Sequence, residues 1–299
     1  MNLLGVDIGA TVIKYGVFDP HRATIAEENE RTAATLDAFL DQIAGLIEWA
    51  HTRHGVVAAG IGVPGFIAKS EKRLLQSPNL LFLNDILIEK EIQSRSAIPV
   101  IVENDANFAA WGEYSSLPEP VPASFVHLTL GTGIGSGIIL DRHLWQGDCG
   151  FAAEFGHVVL NPEGRSCGCG GRGCAETESS EKGIIASFHE AGGDKEVRSS
   201  LEIHARYRAG DPAARKAFDR AGRFLGLLCV AIVNSLNPTL ISIGGGVAAA
   251  GDAIMQPALA EFRSRIHRFA FACTTIRAAR LGNRAGIVGA ASFAASRQK

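Results

Sequence analysis

Apolar residues set in at once. Leu3, Leu4, Val6 and Ile8 form one short run, Gly9-Ala10-Thr11 breaks it, and Val12–Phe18 resumes it. This pattern predicts two strands joined by a tight glycine turn, with Asp7 at the end of the first. Leu36, Phe39, Leu40, Ile43, Leu46, Ile47 and Ala50 then recur at helical spacing. The apolar stretch Val56–Val63 ends in Pro64-Gly65 and reads as a strand running into a turn. Ile86–Gln93 suits a short helix and Val100–Glu103 a strand. Asn104–Tyr114 suits a helix capped by either Asn104 or Asp105.

Ser115–Pro122 carries three prolines and marks the expected boundary between two lobes. Beyond it the opening plan repeats: an apolar strand (Phe125–Leu130), a glycine-rich turn (Gly131–Gly137), and a strand again (Ile138–Asp141). A long apolar helix (Ala214–Leu236), a strand (Leu240–Ile243), a glycine turn (Gly244–Gly246) and a last helix (about 285–295) follow. Strands alternating with helices predict an α/β protein. Two related halves should face a cleft. Residues 1–117 would form the smaller lobe, joined by the C-terminal helix (about 285–299), and residues 118–284 the larger one.

A chain of 299 residues is long enough for two such lobes, and its 46% hydrophobic content can fill their cores. The net charge of -2 implies no general attraction to nucleic acid or to an anionic membrane. Arg263, Arg265, Arg268, Arg277, Arg280 and Arg284 make the end of the chain basic. This reads as a solvated helix face, or as a contributor to phosphate or dimer contacts. No secretory signal opens the chain and no apolar stretch is long enough to span a membrane, so a cytoplasmic location is expected. The six cysteines do not suggest a disulfide scaffold there. Cys149, Cys229 and Cys273 stand apart from the other three.

Three glycine turns follow apolar strands, at Gly9–Thr11, Gly131–Gly135 and Gly244–Gly246. Backbone N–H groups can approach an anionic oxygen where no side chain intervenes, so such turns suit phosphate, although each alone could be an ordinary turn. Gly131–Gly137 is followed by a strand rather than a helix, unlike a dinucleotide fingerprint, and the chain has no Gly-Lys-Ser/Thr ending of a Walker A loop. Paired phosphate hairpins with a later glycine turn read as the nucleotide cleft of an actin-like fold. Asp105, where a strand meets a helix, could accept the proton of an attacking hydroxyl; it could equally be a helix cap. His157, Cys167, Cys169 and Cys174 form a Cys3His set suited to tetrahedral, structural zinc. Cys149 is a weaker competitor for a ligand position. Glu154 and Glu176 flank this loop, and a metal would hold them rigidly enough to recognise hydroxyls.

Together these residues resemble the bacterial ROK family of sugar kinases and sugar-responsive repressors, its glucokinases in particular. The resemblance runs from Asp7 to about Gly289. It rests on Asp7-Ile-Gly-Ala-Thr-Val-Ile-Lys14, Gly62-Val-Pro-Gly65, Ser77-Pro-Asn-Leu80, Glu103-Asn-Asp-Ala-Asn107 and Leu130-Gly-Thr-Gly-Ile-Gly135. Its most specific mark is Glu154-Phe-Gly-His157 followed by Cys167-Gly-Cys-Gly-Gly-Arg-Gly-Cys-Ala-Glu176.

The resemblance implies a two-lobed actin-like, hexokinase-type fold, ATP-dependent phosphorylation of a hexose hydroxyl (glucose to glucose 6-phosphate first), and a homodimer. Asp105 would be the catalytic base. Gly65, Asn79, Asn104, Glu154, His157 and Glu176 would bind the sugar, with His157 also ligating zinc. Asp7 would help hold Mg²⁺ through water. Gly9, Thr11, Lys14, Thr132, Gly133, Gly245 and Gly246 would line the nucleotide.

Three positions depart from the family pattern. Ala10 replaces a glycine, at a cost of about 1 kcal/mol if the site needs a positive φ. Ala153 replaces a glycine before Glu154 and would crowd the sugar loop. Glu178 stands where an aromatic residue is common, which bears on substrate or nucleotide preference. Other hexoses (N-acetylmannosamine, N-acetylglucosamine, fructose, allose) and polyphosphate as donor stay open. So does a non-catalytic sugar-binding regulator. A repressor would need a DNA-binding module ahead of Asp7, where six residues leave no room for one.

Overall fold

The computed structural model describes residues 1–296. The opening apolar runs form β1 (Asn2–Ile8) and β2 (Val12–Phe18), followed by β3 (Thr24–Arg31), α1 (Leu36–His54), β4 (Val56–Val63), β5 (Phe66–Ala68), β6 (Arg73–Gln76), α2 (Ile88–Gln93), β7 (Val100–Asn104) and α3 (Asp105–Ser115). Next come β8 (Phe125–Leu130), β9 (Ile134–Leu140), β10 (His143–Trp145), α4 (Glu176–Ser179), α5 (Glu181–Glu190), α6 (Ser200–Arg208) and α7 (Pro212–Leu236). The described chain ends with β11 (Leu240–Gly244), α8 (Asp252–Arg265), α9 (Arg268–Phe271), β12 (Thr275–Ala278) and α10 (Ala285–Ser296). Of the expected C-terminal helix, positions 297–299 lie outside the described residues. Among the described residues, no helix is long and apolar enough to cross a membrane.

Two five-stranded sheets share one plan. The first runs β3-β2-β1-β4-β7 and the second β10-β9-β8-β11-β12. In each, the leading strand pairs antiparallel with its hairpin partner and parallel with a later strand: β1 with β2 and β4, β8 with β9 and β11. The parallel centres are covered on both faces and therefore read as unbroken apolar runs. Val6, Ile8, Ile61 and Val102 are at most 1% exposed. The spacing noted in α1 puts Phe39, Leu40, Ile43 and Ile47 against the first sheet's core, while Phe218, Leu225 and Ile232 of α7 fill the second.

α10 returns to the first sheet. A Cβ on Gly60 of β4 would sit 2.1 Å from the Ala290 carbonyl oxygen, so this contact is backbone against backbone and only glycine allows it. The returning chain is fastened on its way: the buried Glu113 carboxylate of α3 accepts from the Arg280 and Leu281 N–H groups.

Several local expectations need correction. The second glycine turn is only Gly131–Gly133, because Gly135 and Gly137 already belong to β9. Ile86 lies outside α2, its backbone being paired with Leu74. α7 starts earlier than predicted, at Pro212, with Asp211 capping it through the N–H groups of Ala213 and Ala214. β3 was not foreseen: it is an edge strand exposed along most of its length, so it lacks an alternating apolar face. Within the basic end of the chain, Arg265 pairs with Glu261 and Arg284 with Glu27.

Candidate active site

The strand-to-helix junction settles which residue caps α3. Asn104 is the cap: its Oδ1 accepts from the N–H groups of Ala106 at 2.9 Å and Asn107 at 3.1 Å, and its Nδ2 donates to the Gly65 carbonyl at 3.0 Å. One N–H of that amide is left for a ligand. Asp105 is relieved of the capping duty; its Oδ1 accepts from Ala106 N–H at 2.9 Å. Burial pushes the Asp105 carboxyl up to about 7, helped by the negative charge of Asp7 and, less, of Glu154, against the pull of backbone N–H groups. Asp7, the last residue but one of β1, lies opposite Lys14 of β2. Burial raises its carboxyl too, and Lys14 opposes the rise. Two recessed carboxylates that feel each other's charge, with Lys14 acting on Asp7, form a donor set short of positive charge, which fits a divalent cation such as Mg²⁺.

The three glycine turns each have a support. Gly9 N–H bonds Val12 O at 3.0 Å, while Thr32, just beyond β3, bonds the Gly9 and Thr11 carbonyls. Ala10 lies outside the positive-φ region, so the feared strain there does not arise. Thr11 and Thr132 are exposed at their turns. Gly131 N–H bonds Gly133 O at 2.9 Å, and Glu181 N–H at the start of α5 bonds Gly131 O. Gly245 backs onto the end of β8 at Leu130, which sets the third turn beside the second, and Gly246 opens a recess shared with Ser200, Leu201, His204, Phe218 and Val247. Sequence reading missed this recess, whose members come from three separate segments. Gly135 serves packing: a Cβ there would lie 2.9 Å from Ala106 Cβ. Its absence lets the first turn of α3, and Asp105 with it, press against the strand that follows the second glycine turn.

His157, Cys167, Cys169 and Cys174 place one ligand atom each within 4.8 Å of one another. The Cys169 and Cys174 sulfurs are 3.8 Å apart, and Cys167 Sγ is 3.6 Å from His157 Nδ1. A tetrahedron with Zn–S bonds of ~2.3 Å and Zn–N of ~2.0–2.1 Å has edges of about 3.8 and 3.5 Å. The set therefore fits zinc through Nδ1. Burial holds the Cys167 thiol above its usual range, and the Glu176 carboxylate that it donates to at 3.0 Å adds to this. Cys149 is exposed and outside the group.

His157 Nε2 faces Glu154 at 3.9 Å, and its Nδ1 lies 3.8 Å from Glu176. Burial raises the Glu154 carboxyl. The second oxygen of Glu176 accepts from Ile134 N–H at 3.3 Å and lies against Gly133. Glu176 thus touches both the cysteine cluster and the second glycine turn. Asn79 stands exposed on the loop after β6. Gly65, at φ 125, packs against Gln76 and Ser77 of that same loop.

The two other departures acquire physical meanings. Glu178 is fully buried and accepts from Arg165 Nη1 at 3.0 Å, Arg220 Nε at 2.8 Å and Asn161. An ion network therefore pins the cysteine loop to α7 where an aromatic ring would only have packed. Ala153 has φ 72 and is buried, with its carbonyl accepting from Ser136 Oγ. A left-handed alanine costs ~1–2 kcal/mol. Ala153→Gly is expected to recover about 1 kcal/mol, read as a rise of about 2–4 °C in Tm by calorimetry. An unchanged or lower Tm would show the site unstrained.

A model of the ROK family matches residues 3–297. The chain is 33% identical to a glucokinase of Streptomyces coelicolor, over 97% of this chain and 96% of that one. A xylose repressor of Bacillus subtilis is 29% identical, over 88% of this chain and 69% of the repressor. Among solved structures, a ROK family glucokinase from Streptomyces griseus in complex with glucose and AMPPNP superposes with a TM-score of 0.84 at 32% identity, with both chains covered completely. The paired α/β sheets are therefore a hexokinase-type kinase fold, and with the family match spanning almost every residue, the chain belongs to the ROK family.

Proposed function

We propose that the protein is an ATP-dependent hexose kinase, glucose being the first candidate acceptor, with Asp105 as general base. The observation that carries this reading is the position of Asp105. Its carboxyl titrates near neutrality, is spared from capping by Asn104, and sits between Gly65 on one side and the strand leaving the second glycine turn on the other. A general base works best when its pKa lies near the operating pH.

In this reading Asn104, Glu154, His157 and Glu176 orient the sugar, with Asn79 and the Gly65 backbone closing around it. The acceptor hydroxyl loses its proton to Asp105 as its oxygen bonds to the γ-phosphorus, and ADP departs with the electrons of the broken P–O bond. The turns at Gly9–Thr11, Thr132-Gly133 and Gly245-Gly246 hold the phosphates, and the recess beside Gly246 takes the base. Mg²⁺ near Asp7 would neutralise charge on the transferring phosphoryl oxygens. Zinc on the cysteine loop would brace His157 and its two glutamates. Similarity to the Streptomyces coelicolor glucokinase supports glucose over the alternatives.

A coupled assay of ADP release across glucose, N-acetylmannosamine, N-acetylglucosamine, fructose and allose, with ATP and polyphosphate as donors, tests the proposal. Glucose with ATP should give the highest kcat/KM. Sugar binding without turnover of any donor would instead identify a regulator.

A further inference from the structure

Glu103 stands directly before Asn104 and Asp105 and is 2% exposed. Four donors saturate its carboxylate. Oε1 accepts from the Asn104 backbone N–H and from Asn107 Nδ2, both at 3.0 Å. Oε2 accepts from Lys72 Nζ at 3.2 Å and from Gln146 Nε2. These donors come from three places: the start of α3, the tip of the β5–β6 hairpin that follows Gly65, and the loop after β10 that leads to Glu154. The hairpin and the loop meet again nearby. Lys69 N–H bonds Cys149 O at 3.0 Å, Lys69 Nζ bonds Gly147 O at 3.1 Å, and the Phe66 and Phe151 rings pack edge to face at 6.1 Å.

A buried carboxylate is a costly way to fill space, and an apolar side chain would pack as well. What the carboxylate adds is direction: it draws one donor from each sugar-side loop to a fixed point next to the base. We propose that Glu103 is a positioning residue for phosphoryl transfer, fastening the hairpin behind Gly65 and the loop before Glu154 to the strand end that carries Asp105. This inference rests on the kinase reading above. Through Glu103 the groups on either side of the acceptor sugar are held in one register with the base. A shift of about 1 Å in such a frame is enough to cost ~10²-fold in rate.

Gln146→Leu tests the fastening without removing the buried charge pair, because Lys72, Asn104 and Asn107 still hold Glu103. The expected result is a sugar KM raised about tenfold and a kcat lowered about tenfold, with the ATP KM changed by less than about threefold. Amide hydrogen exchange should accelerate at Lys69 and Ala152, whose N–H groups bond Cys149 O and Gln146 O. Glu103→Gln should move the sugar KM further in the same direction, and Gln146→Leu should add little in that background. Wild-type exchange rates together with a wild-type sugar KM in Gln146→Leu overturn the fastening. Full additivity of the two substitutions overturns the role of Glu103 as its centre. A wild-type protein that phosphorylates no sugar overturns the kinase reading and the role in transfer with it, while the exchange rates still report separately on whether the loops are fastened.

Discussion

Replacing Asp105 by asparagine is expected to lower kcat by ~10²–10⁴-fold, the range a positioned general base contributes, while leaving sugar affinity nearly intact. Asparagine keeps the shape and can still accept from Ala106 N–H, so the frame around it should hold. The same substitution should raise stability at pH 8. The folded-state pKa of Asp105 lies near 7 against an ordinary 3.8. The folded protein therefore binds this proton more tightly than the unfolded chain does. That contribution is complete below about pH 4 and is lost as pH rises through about 7. Above that, the wild type carries a recessed charge beside Asp7 that the variant lacks. Melting curves at pH 5 and pH 8 without nucleotide or Mg²⁺ should show a larger advantage of the variant at the higher pH. The wild-type kcat/KM should fall with decreasing pH below about 7, as the base takes up its proton. An Asp105→Asn protein that keeps wild-type turnover would remove this residue from the chemistry.

Loss of one cysteine of the cluster should be nearly as severe. Cys174 is 1% exposed and its sulfur is part of the four-ligand group. Wild-type protein should carry about one zinc per chain by elemental analysis, and Cys174→Ser close to none, since a closed tetrahedral site tolerates no missing ligand. Folding free energy in such loops is largely metal-binding free energy, so sugar-dependent turnover should fall at least ~10²-fold. The Glu178 network ties the loop to α7 independently of the cysteines, so the variant should remain folded as a whole. A zinc-free wild type with full activity would end the zinc assignment.

Groups that act together were legible in the sequence where they are close in it. Cys167, Cys169 and Cys174 lie within eight residues, and glycines leave the intervening backbone free to wrap an ion, so the ligand set could be read directly. Asp105 was legible because a strand-to-helix junction announces itself by pattern. The assignment between Asn104 and Asp105 as cap needed the hydrogen bonds. Glu103 was hidden for another reason: it reads as one more residue of a strand end, and its partners Lys72 and Gln146 are 31 and 43 positions away. Gly135 and Gly137 look like turn residues by composition. They are strand residues because α3 crosses there with no space for side chains, a fact that belongs to the neighbouring element. β3 escaped for want of an apolar face, although Thr32 just past its end steadies the first glycine turn.

The seating of α10 on β1 and β4 bears on how the protein is made. The strands it covers leave the ribosome well before the helix that covers them. Until that helix emerges, the patch around Gly5 and Gly60 has no lid. The nascent first half is thus a half-clad sheet, its apolar face open to association until residues 285–296 emerge and dock.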